Sequence, residues 1–344
     1  MSRIVVRNVT RGRELAWRRV KIRKSLDDIC HTMELEIPAG ERPNVQRHHL
    51  IRVDLESPFL TNSAIGGLVA TVRVDEVAAS ADATTLSAMV LGRSPARDIV
   101  DSAWTDDALW PVDGEPWTLA AVAGHVARRF GISVAWFPEG SADPTRPVGF
   151  FAWQNESPWA KLQAEAAGQG FLLTSNQAGG LYIWRPSGLP RSEGFLLEEG
   201  QNVRSIEWRQ NGAEQFHVYR VTGYFDEAEV IDPTCPPGRI LTIDLTGTDA
   251  DEEKLRRRAL TEMRRRREER VTVTVSGWGL SDPWIRRLGT NERREIFWSP
   301  NFFVPVRIPS LNLSRNLLIA EVEHEADART MRSAITLTRR EAYL

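Results

Sequence analysis

Apolar and polar residues alternate along much of the first 95 positions of the chain. Met33, Leu35 and Ile37 are separated by glutamates, which is the period of a strand with one buried face. The same period returns in two later segments, whose apolar positions are Leu68, Ala70, Val72 and Val74, and then Leu86, Ala88 and Val90. The stretch Ala79 to Asp82 between these segments predicts a turn. The pattern therefore predicts antiparallel β structure in this part of the chain.

Between about residues 94 and 199 the apolar period becomes helical. A first helix is predicted from Thr118 to Gly131, with a buried stripe of Leu119, Val122, Val126 and Phe130. A second helix is predicted to have Ser157 as N-cap, Pro158 in its first turn, a stripe of Trp159, Leu162 and Ala166, and an end at Gly168 or Gly170. The apolar segments 171–173 and 181–184 flank a turn-forming sequence and predict a hairpin. The middle of the chain is therefore a small α/β module.

From about Ile206 the pattern returns to strands, over 216–221, over 240–245, and at the alternating Val271, Val273 and Val275. One predicted helix, Asp249 to Glu269, interrupts them. Its apolar stripe is Leu255, Ala259 and Met263, and we expect its charged remainder to face outwards.

The two β regions contain a weak internal repeat. Leu68 to Val72 is followed by Ser87 to Leu91, and Leu318 to Val322 is followed at a similar distance by Ser333 to Leu337. Two explanations stay open at this point. The similarity arises by chance between amphipathic hairpins, or one chain carries two copies of the same β unit.

Composition changes this picture in three ways. With 344 residues, the chain is long enough for two or three units, each with its own core. The net charge of -2 disfavours dedicated nucleic-acid binding. Only four of the 44 basic residues are lysine, for which codon usage in a GC-rich genome is the simplest explanation, yet arginine and the twelve tryptophans are also typical of protein interfaces. The composition favours an assembly component.

Targeting and redox features are lacking in the sequence. Cys30 and Cys235 lie far apart and form no metal-binding or disulfide pattern, which is typical of a protein made in a reducing cytoplasm. The first residues lack the apolar core of a signal peptide, and no segment approaches ~18 apolar residues. We expect no secretion signal and no membrane insertion.

No catalytic, cofactor-binding or metal site is predicted. The histidines have no metal-ligand spacing; His125 is expected to be exposed, and the adjacent His48 and His49 to point to opposite faces of a strand. The six are His31, His48, His49, His125, His217 and His324. A stretch containing Asp106, Asp107, Asp113 and Glu115 offers two readings: a pair of glycosidase carboxylates, or a solvated loop, which we favour.

The arginines of the predicted helix 249–269 suggest phosphate contacts when taken alone. Acids in the same helix change that interpretation, because three pairs have the favourable i,i+4 order: Glu252–Arg256, Glu253–Arg257 and Glu262–Arg266. We therefore expect a salt-bridged outer face, which is also suited to a subunit contact.

Several segments resemble Mu-like phage baseplate hub proteins, in the same order along the chain. The helix-to-strand junction Arg264 to Trp278 is the most similar, and it is joined by Gly170 to Asn176 with Gly180 to Trp184, Thr118-Leu119 with Gly131 to Val134, and Trp298-Ser299-Pro300-Asn301. The resemblance covers roughly residues 3 to 342 and extends in fold to the hub part of VgrG-type spikes. It rests on the order of the segments, since no single motif is diagnostic.

The resemblance implies an α+β, mainly β chain with two tail-tube-like antiparallel β-barrels joined by a small α/β module. The expected domains are 1–95, the first barrel; 96–205, the module; and 206–344, the second barrel with the inserted helix 249–269. It also implies a homotrimeric ring that surrounds the DNA channel and adapts a six-fold tail tube to a three-fold spike. The family has no catalytic residues or cofactor to transfer, and the sequence leaves the interface residues unknown.

The partners implied are the tail tube protein, the central spike protein and other baseplate proteins, with DNA passing only transiently during ejection. The expected location is the virion tail baseplate, assembled in the host cytoplasm. Two alternatives stay open: a peptidoglycan-degrading tail enzyme that uses acids of the 101–115 region, and a hub component of a contractile secretion system.

Overall fold

The computed structural model describes residues 3–56, 67–81, 86–103, 118–137, 157–187, 195–245, 251–267, 269–279 and 297–344. Within these ranges the chain is mainly β, and thirteen strands form one large sheet, which is antiparallel except for one short pair. Two three-stranded sheets and four α-helices make up the rest of the regular structure in the described residues. The predicted fold class is confirmed at this level.

The N-terminal β unit supplies seven strands of the large sheet. They are β1 (Arg3–Asn8), β2 (Arg13–Leu15), β3 (Arg19–Ser25), β4 (Thr32–Pro38), β5 (Leu50–Glu56), β6 (Leu68–Ala81) and β7 (Leu86–Arg93). The predicted alternation is confirmed in β4, where Met33, Leu35 and Ile37 are buried. The turn predicted at 79–82 is wrong, because Ala79 and Ala81 pair with Ala88 and Leu86 and β6 continues to Ala81.

The α/β module follows. Its elements are α1 (Arg97–Asp101), α2 (Leu119–Arg129), β8 (Val134–Phe137), α3 (Pro158–Gly168), β9 (Leu172–Ser175) and β10 (Leu181–Trp184). The predicted β9–β10 hairpin is confirmed, and β8 joins β10 in parallel. The helices also begin where predicted: Thr118 Oγ1 accepts from the Ala121 amide, although Ser157 Oγ donates instead to the carbonyl of Val100.

The C-terminal part contains the remaining elements. They are β11 (Leu197–Glu198), β12 (Val203–Arg209), β13 (Val218–Thr222), β14 (Glu227–Ile231), β15 (Ile240–Asp244), α4 (Glu252–Arg267), β16 (Arg270–Ser276), β17 (Phe303–Ile308), β18 (Leu313–Asp327) and β19 (Met331–Thr338). β13, β14 and β15 form their own sheet, against which α4 packs Leu255 and Ala259. The strands around 218–244 therefore lie outside the large sheet, and their assignment to a second barrel stays a prediction.

The two β units have the same strand order. Without β2, which pairs with β1 at the end of the sheet, the order in the N-terminal unit is β3-β4-β7-β6-β5-β1. In the C-terminal unit it is β12-β16-β19-β18-β17-β11. The direction of pairing differs at one place, since β5–β1 is antiparallel and β17–β11 is parallel. Numbered by position along the chain, both orders are second, third, sixth, fifth, fourth, first. The connection between β12 and β16 carries β13–β15 and α4 as an insertion. Chance similarity of two hairpins does not produce a shared order of six strands, so the structure favours two copies of one β unit.

A β-bulge marks the same place in both copies. Asp75 is the extra residue between Val74 and Glu76 in β6, and Ala320 is the extra residue between Ile319 and Glu321 in β18. Counting from the bulges makes Val90 equivalent to Ile335, and both are fully buried. The sequence alignment of Ser87 with Ser333 is therefore wrong by one residue. It would align side chains that face the core in one copy with side chains that face outwards in the other.

The two copies share one core. A single apolar cluster contains Val20, Leu35 and Val90 from the first copy and Val273, Ile319 and Ile335 from the second. The expectation that every unit has its own core is thus corrected for the β units, whereas the α/β module and the α4 layer do have separate cores. The described sheet does not close on itself. The two-barrel arrangement and the domain bounds 1–95, 96–205 and 206–344 stay predictions.

Candidate assembly interface

The two β units meet edge to edge where β3 pairs with β18, and we call this pairing the internal joint. It runs antiparallel from Ser25 opposite Glu321 to Arg19 opposite Asp327. Three ion pairs cross it on the outer face: Arg19–Glu325 at 2.7 Å, Lys21–Glu323 at 2.9 Å and Arg23–Glu321 at 2.7 Å. Each cation reaches the acid two residues before its own Cα partner. The internal joint is therefore fixed in register by charge as well as by backbone hydrogen bonds.

Beneath the internal joint lies a buried cluster of basic side chains. Lys24 Nζ donates to the carbonyl of Val69 at 2.7 Å, and burial lowers the pKa of Lys24 to about 7. Burial also lowers the pKa of His31 and of His324 well below the ordinary value, with the charge of Lys24 acting in the same direction. His324 is held by Ser333 Oγ at 2.9 Å and the carbonyl of Trp298 at 3.1 Å. These contacts place His324 in a structural position.

Asp27 ties the first β unit to the α4 layer and the C-terminus. Its carboxylate accepts from Arg270 at 2.9 Å and from the hydroxyl of Tyr343 at 2.9 Å, and Arg265 lies 3.3 Å away. Burial acts to raise the pKa of Asp27, but the two arginines outweigh it and lower that pKa overall. The carboxylate in turn adds to the effect of burial in raising the pKa of Tyr343. Asp27 thus lines a charged cleft of about 410 Å³ beside α4.

Helix α4 carries the predicted ion pairs only in part. Glu253–Arg257 and Glu262–Arg266 are formed at 2.8 and 3.3 Å, whereas Glu252 and Arg256 do not come within 4 Å in the described chain. Glu262 is buried rather than outward-facing, because Arg258 also binds it, at 2.7 Å. The exposed, salt-bridged face is therefore confirmed in the first turns and corrected at Glu262.

The remaining candidate residues are not brought together. His48 and His49 lie in a turn before β5 and not in a strand, which corrects their expected placement, and His125 is exposed as predicted. Asp106, Asp107, Asp113 and Glu115 lie outside the described residues. Among the residues that the structure describes, no cluster of metal-ligating side chains occurs and no helix is long and apolar enough to cross a membrane.

Asn301 is a structurally important position that the sequence indicated only as part of a motif. It is buried, its side-chain amide donates to the carbonyl of Arg185 at 2.9 Å, and its Oδ1 accepts from the Ser187 amide at 2.8 Å. Its own amide donates to the carbonyl of Ile319. Asn301 therefore clamps the end of the α/β module against the C-terminal β unit.

Known proteins share this architecture. No protein-family model matches the chain. It is 23% identical over 357 residues to the baseplate hub protein gp44 of Escherichia phage Mu, which covers 95% of this chain and 86% of the Mu protein. The resemblance to Mu-like hub proteins is confirmed. The similarity extends through both β units and the module between them.

Solved structures with the same fold support this result. The 43 kDa tail protein of prophage MuSo2 from Shewanella oneidensis matches with a TM-score of 0.74 at 24% identity, over 99% of each chain. The tail protein from Neisseria meningitidis MC58 matches with a TM-score of 0.74 at 15% identity, over 98% of this chain and 96% of that one. A more distant match, with a TM-score of 0.54 at 10% identity, is a type VI secretion system component of E. coli, over 97% and 76%. These likenesses establish the fold.

Proposed function

We propose that the chain is a structural baseplate hub of a contractile phage tail, located in the virion. Three copies form a ring around the DNA channel, and the two β units of each copy give six similar positions that face the tail tube. The module and the α4 layer occur once per chain and give the opposite side its three-fold symmetry, which suits a trimeric spike. The observation that carries the proposal is the identical order of six strands in the two β units.

A structural role also agrees with the chemistry of the described residues. The buried His324 is held by structural hydrogen bonds, and the charged clusters at Asp27 and Glu262 are paired internally. The hub acts by binding: its partners are the tail tube protein, the spike and other baseplate proteins, while DNA only passes through.

The native mass of the purified chain tests the ring. We expect about three times the 38.8 kDa of one chain, together with particles that have six-fold features on one face and three-fold features on the other in electron micrographs. The physical reason is that uncovered strand edges favour closure into a ring. A chain that stays monomeric at high concentration, or a ring with another number of subunits, would contradict the proposal.

A hub of a contractile secretion system is the second candidate, favoured by the similarity to the type VI component. This alternative has the same ring of three chains, and only the particle that contains the ring differs: a secretion system instead of a phage tail. Copurification with phage capsid and tail proteins from induced cells separates the two. Peptidoglycan digestion that is lost on Asp106→Asn or Glu115→Gln would instead favour the enzymatic alternative.

A further inference from the structure

Strand β12 ends the large sheet, and one of its edges is covered by no strand that the structure describes. Among the described residues it pairs only with β16. Val203 and Ile206 pack against the shared core, yet Ile206 is only half-buried, and Trp208 two residues further on is 49% exposed. Apolar residues at the uncovered edge of a sheet are a liability unless another chain covers them.

The equivalent strand in the first copy shows what such a cover looks like. Val20 of β3 faces Leu35 of β4 as Ile206 faces Val273 of β16, so β3 corresponds to β12. By the same count, Ile22 corresponds to Trp208. Val20 and Ile22 are both fully buried, because β18 covers their strand at the internal joint. Among the strands that the structure describes, the second copy of the β unit therefore lacks the neighbour that the first copy has.

The second uncovered edge is that of the distal half of β6, residues 76–81, for which no partner strand is described. The equivalent part of β18 pairs with β3, whereas no described strand pairs with this edge of β6. An open groove of about 690 Å³ runs beside Glu76 and Val77, and Arg42, Pro43 and Arg47 lie on its other wall. Six strands separate β6 from β12 within one chain, so the two uncovered edges do not meet there.

We propose that β12 of one copy pairs antiparallel with the distal half of β6 in the next copy, reproducing the internal joint between subunits. This inference rests on the proposed ring and assigns its contact surface. The occupant of each edge is thus a second copy of this chain, because the template for the contact is already present inside every copy.

Counting from the bulges gives the register. Ala78 corresponds to Glu323 and Arg209 to Arg23, so Ala78 lies opposite Arg209, and Ala79 lies opposite Trp208. Glu76 corresponds to Glu321. The ion pair Arg23–Glu321 of the internal joint therefore has the counterpart Arg209–Glu76 between subunits.

The charges available at both edges agree with this register. Glu76 is exposed, and within the described part of the chain Arg209 pairs only with Glu207, in a contact whose two side chains are 75% and 64% exposed. The other two cations of the internal joint, Arg19 and Lys21, correspond to Ser205 and Glu207. Arg209–Glu76 is thus the one pair retained, and it fixes the register between subunits.

Cysteine pairs test the register directly. Residues directly opposite each other in antiparallel strands lie close enough for a disulfide. We expect Ala78→Cys with Arg209→Cys to form two-chain and three-chain species on oxidation. The matched controls are each single variant, which carries the same native Cys30 and Cys235, and Ala78→Cys with Glu207→Cys, which keeps the face but shifts the partner by two residues. The controls should stay largely uncrosslinked.

Charge reversal gives an independent readout in the reduced protein. Arg209→Glu or Glu76→Arg should weaken self-association roughly tenfold by replacing attraction with repulsion, and the double variant should restore it. Arg128→Glu, an exposed arginine on α2, is the charge-matched control and should leave self-association unchanged.

The outcomes separate this inference from the proposed ring. A trimer in which the Ala78–Arg209 cysteines do not crosslink would overturn the joint and leave the ring standing. A disulfide formed within one chain would also overturn the joint. A protein that stays monomeric in every variant would overturn both.

Discussion

Asn301 has a left-handed backbone conformation, with φ 68°, in the middle of a buried contact. Asparagine adopts this conformation more readily than most residues, and its amide has both a donor and an acceptor for the module segment 185–187. The motif around it was recognisable in the sequence. Its role was not, because the partners lie more than 100 residues away along the chain.

We expect Asn301→Ala to lower the free energy of unfolding by about 2 kcal/mol or more, since it removes two buried hydrogen bonds and strains a left-handed alanine. Asn312 is the matched control, because it is also left-handed, with φ 51°, but exposed. Asn312→Ala should cost only the strain, about 1 kcal/mol. Urea unfolding at one fixed protein concentration measures both. Equal costs would show that Asn301 is not a clamp.

Lys24 makes stability depend on pH. Its pKa is lowered to about 7 in the folded chain from an ordinary 10.5, so the unfolded chain binds more protons between these values and stability rises with pH. Lys24→Met should flatten this rise between about pH 7 and about pH 9 by up to about 1.4 kcal/mol per pH unit. Unfolding free energies measured across that range test it.

The control for Lys24 is Lys21→Met, because Lys21 lies on the same strand with its amine at the surface beside Glu323. That variant should keep the slope of the unmodified chain. An undiminished slope in Lys24→Met would mean that the amine is solvated in the folded chain. The sequence shows that lysine is rare here, but only the tertiary structure places this one beneath the internal joint.

At the scale of elements, the two equivalent bulges direct different residues away from the sheet. Asp75 in β6 binds the buried Arg97 of α1 and also Arg93 at 2.9 Å, which couples the first β unit to the module. Ala320 in β18 instead packs against Leu26 and Tyr343 near the C-terminus. One backbone device thus serves two different contacts.

Removing the carboxylate at the first bulge should be costly. Asp75→Ala leaves Arg97 buried without its main partner, and we expect a loss of about 3 kcal/mol in the free energy of unfolding. Asp98 is the matched control: it contacts Arg97 only at 3.4 Å and also lies 3.6 Å from Arg73, so Asp98→Ala should cost under about 1 kcal/mol. Thermal unfolding of both variants checks this. Similar losses would place the coupling elsewhere.

Helices and strands with a regular apolar period were predictable, because the period and the end signals are local. Thr118 and Gly131 flank α2 as predicted, and Gly131 has φ 67°. The β-bulges could not be predicted from the sequence, since a bulged residue is defined only relative to the partner strand. For the same reason the pattern found the strand at 240–245 but not that it belongs to a separate sheet.

At the scale of the whole molecule, duplication was visible in the sequence only as two similar hairpins. The two sequences differ so much that they suggested an equivalence of Ser87 with Ser333, whose side chains lie on opposite faces of the sheet. The strand order and the positions of the bulges are the same in both copies. Backbone topology resists change better than side chains, because a new strand order requires the whole shared core to be rebuilt.

The internal joint also determines the order in which the two β units can pair during synthesis of the chain. Arg19 and Glu325 are 306 residues apart, so β3 leaves the ribosome long before the strand that covers it exists. Contacts this distant form late, and until then the N-terminal unit keeps an open edge that invites mispairing. Because β18 of the same chain is the strand that covers this edge, a truncated product lacks the partner of β3. Only a fully translated chain can therefore complete the large sheet before it contacts other subunits.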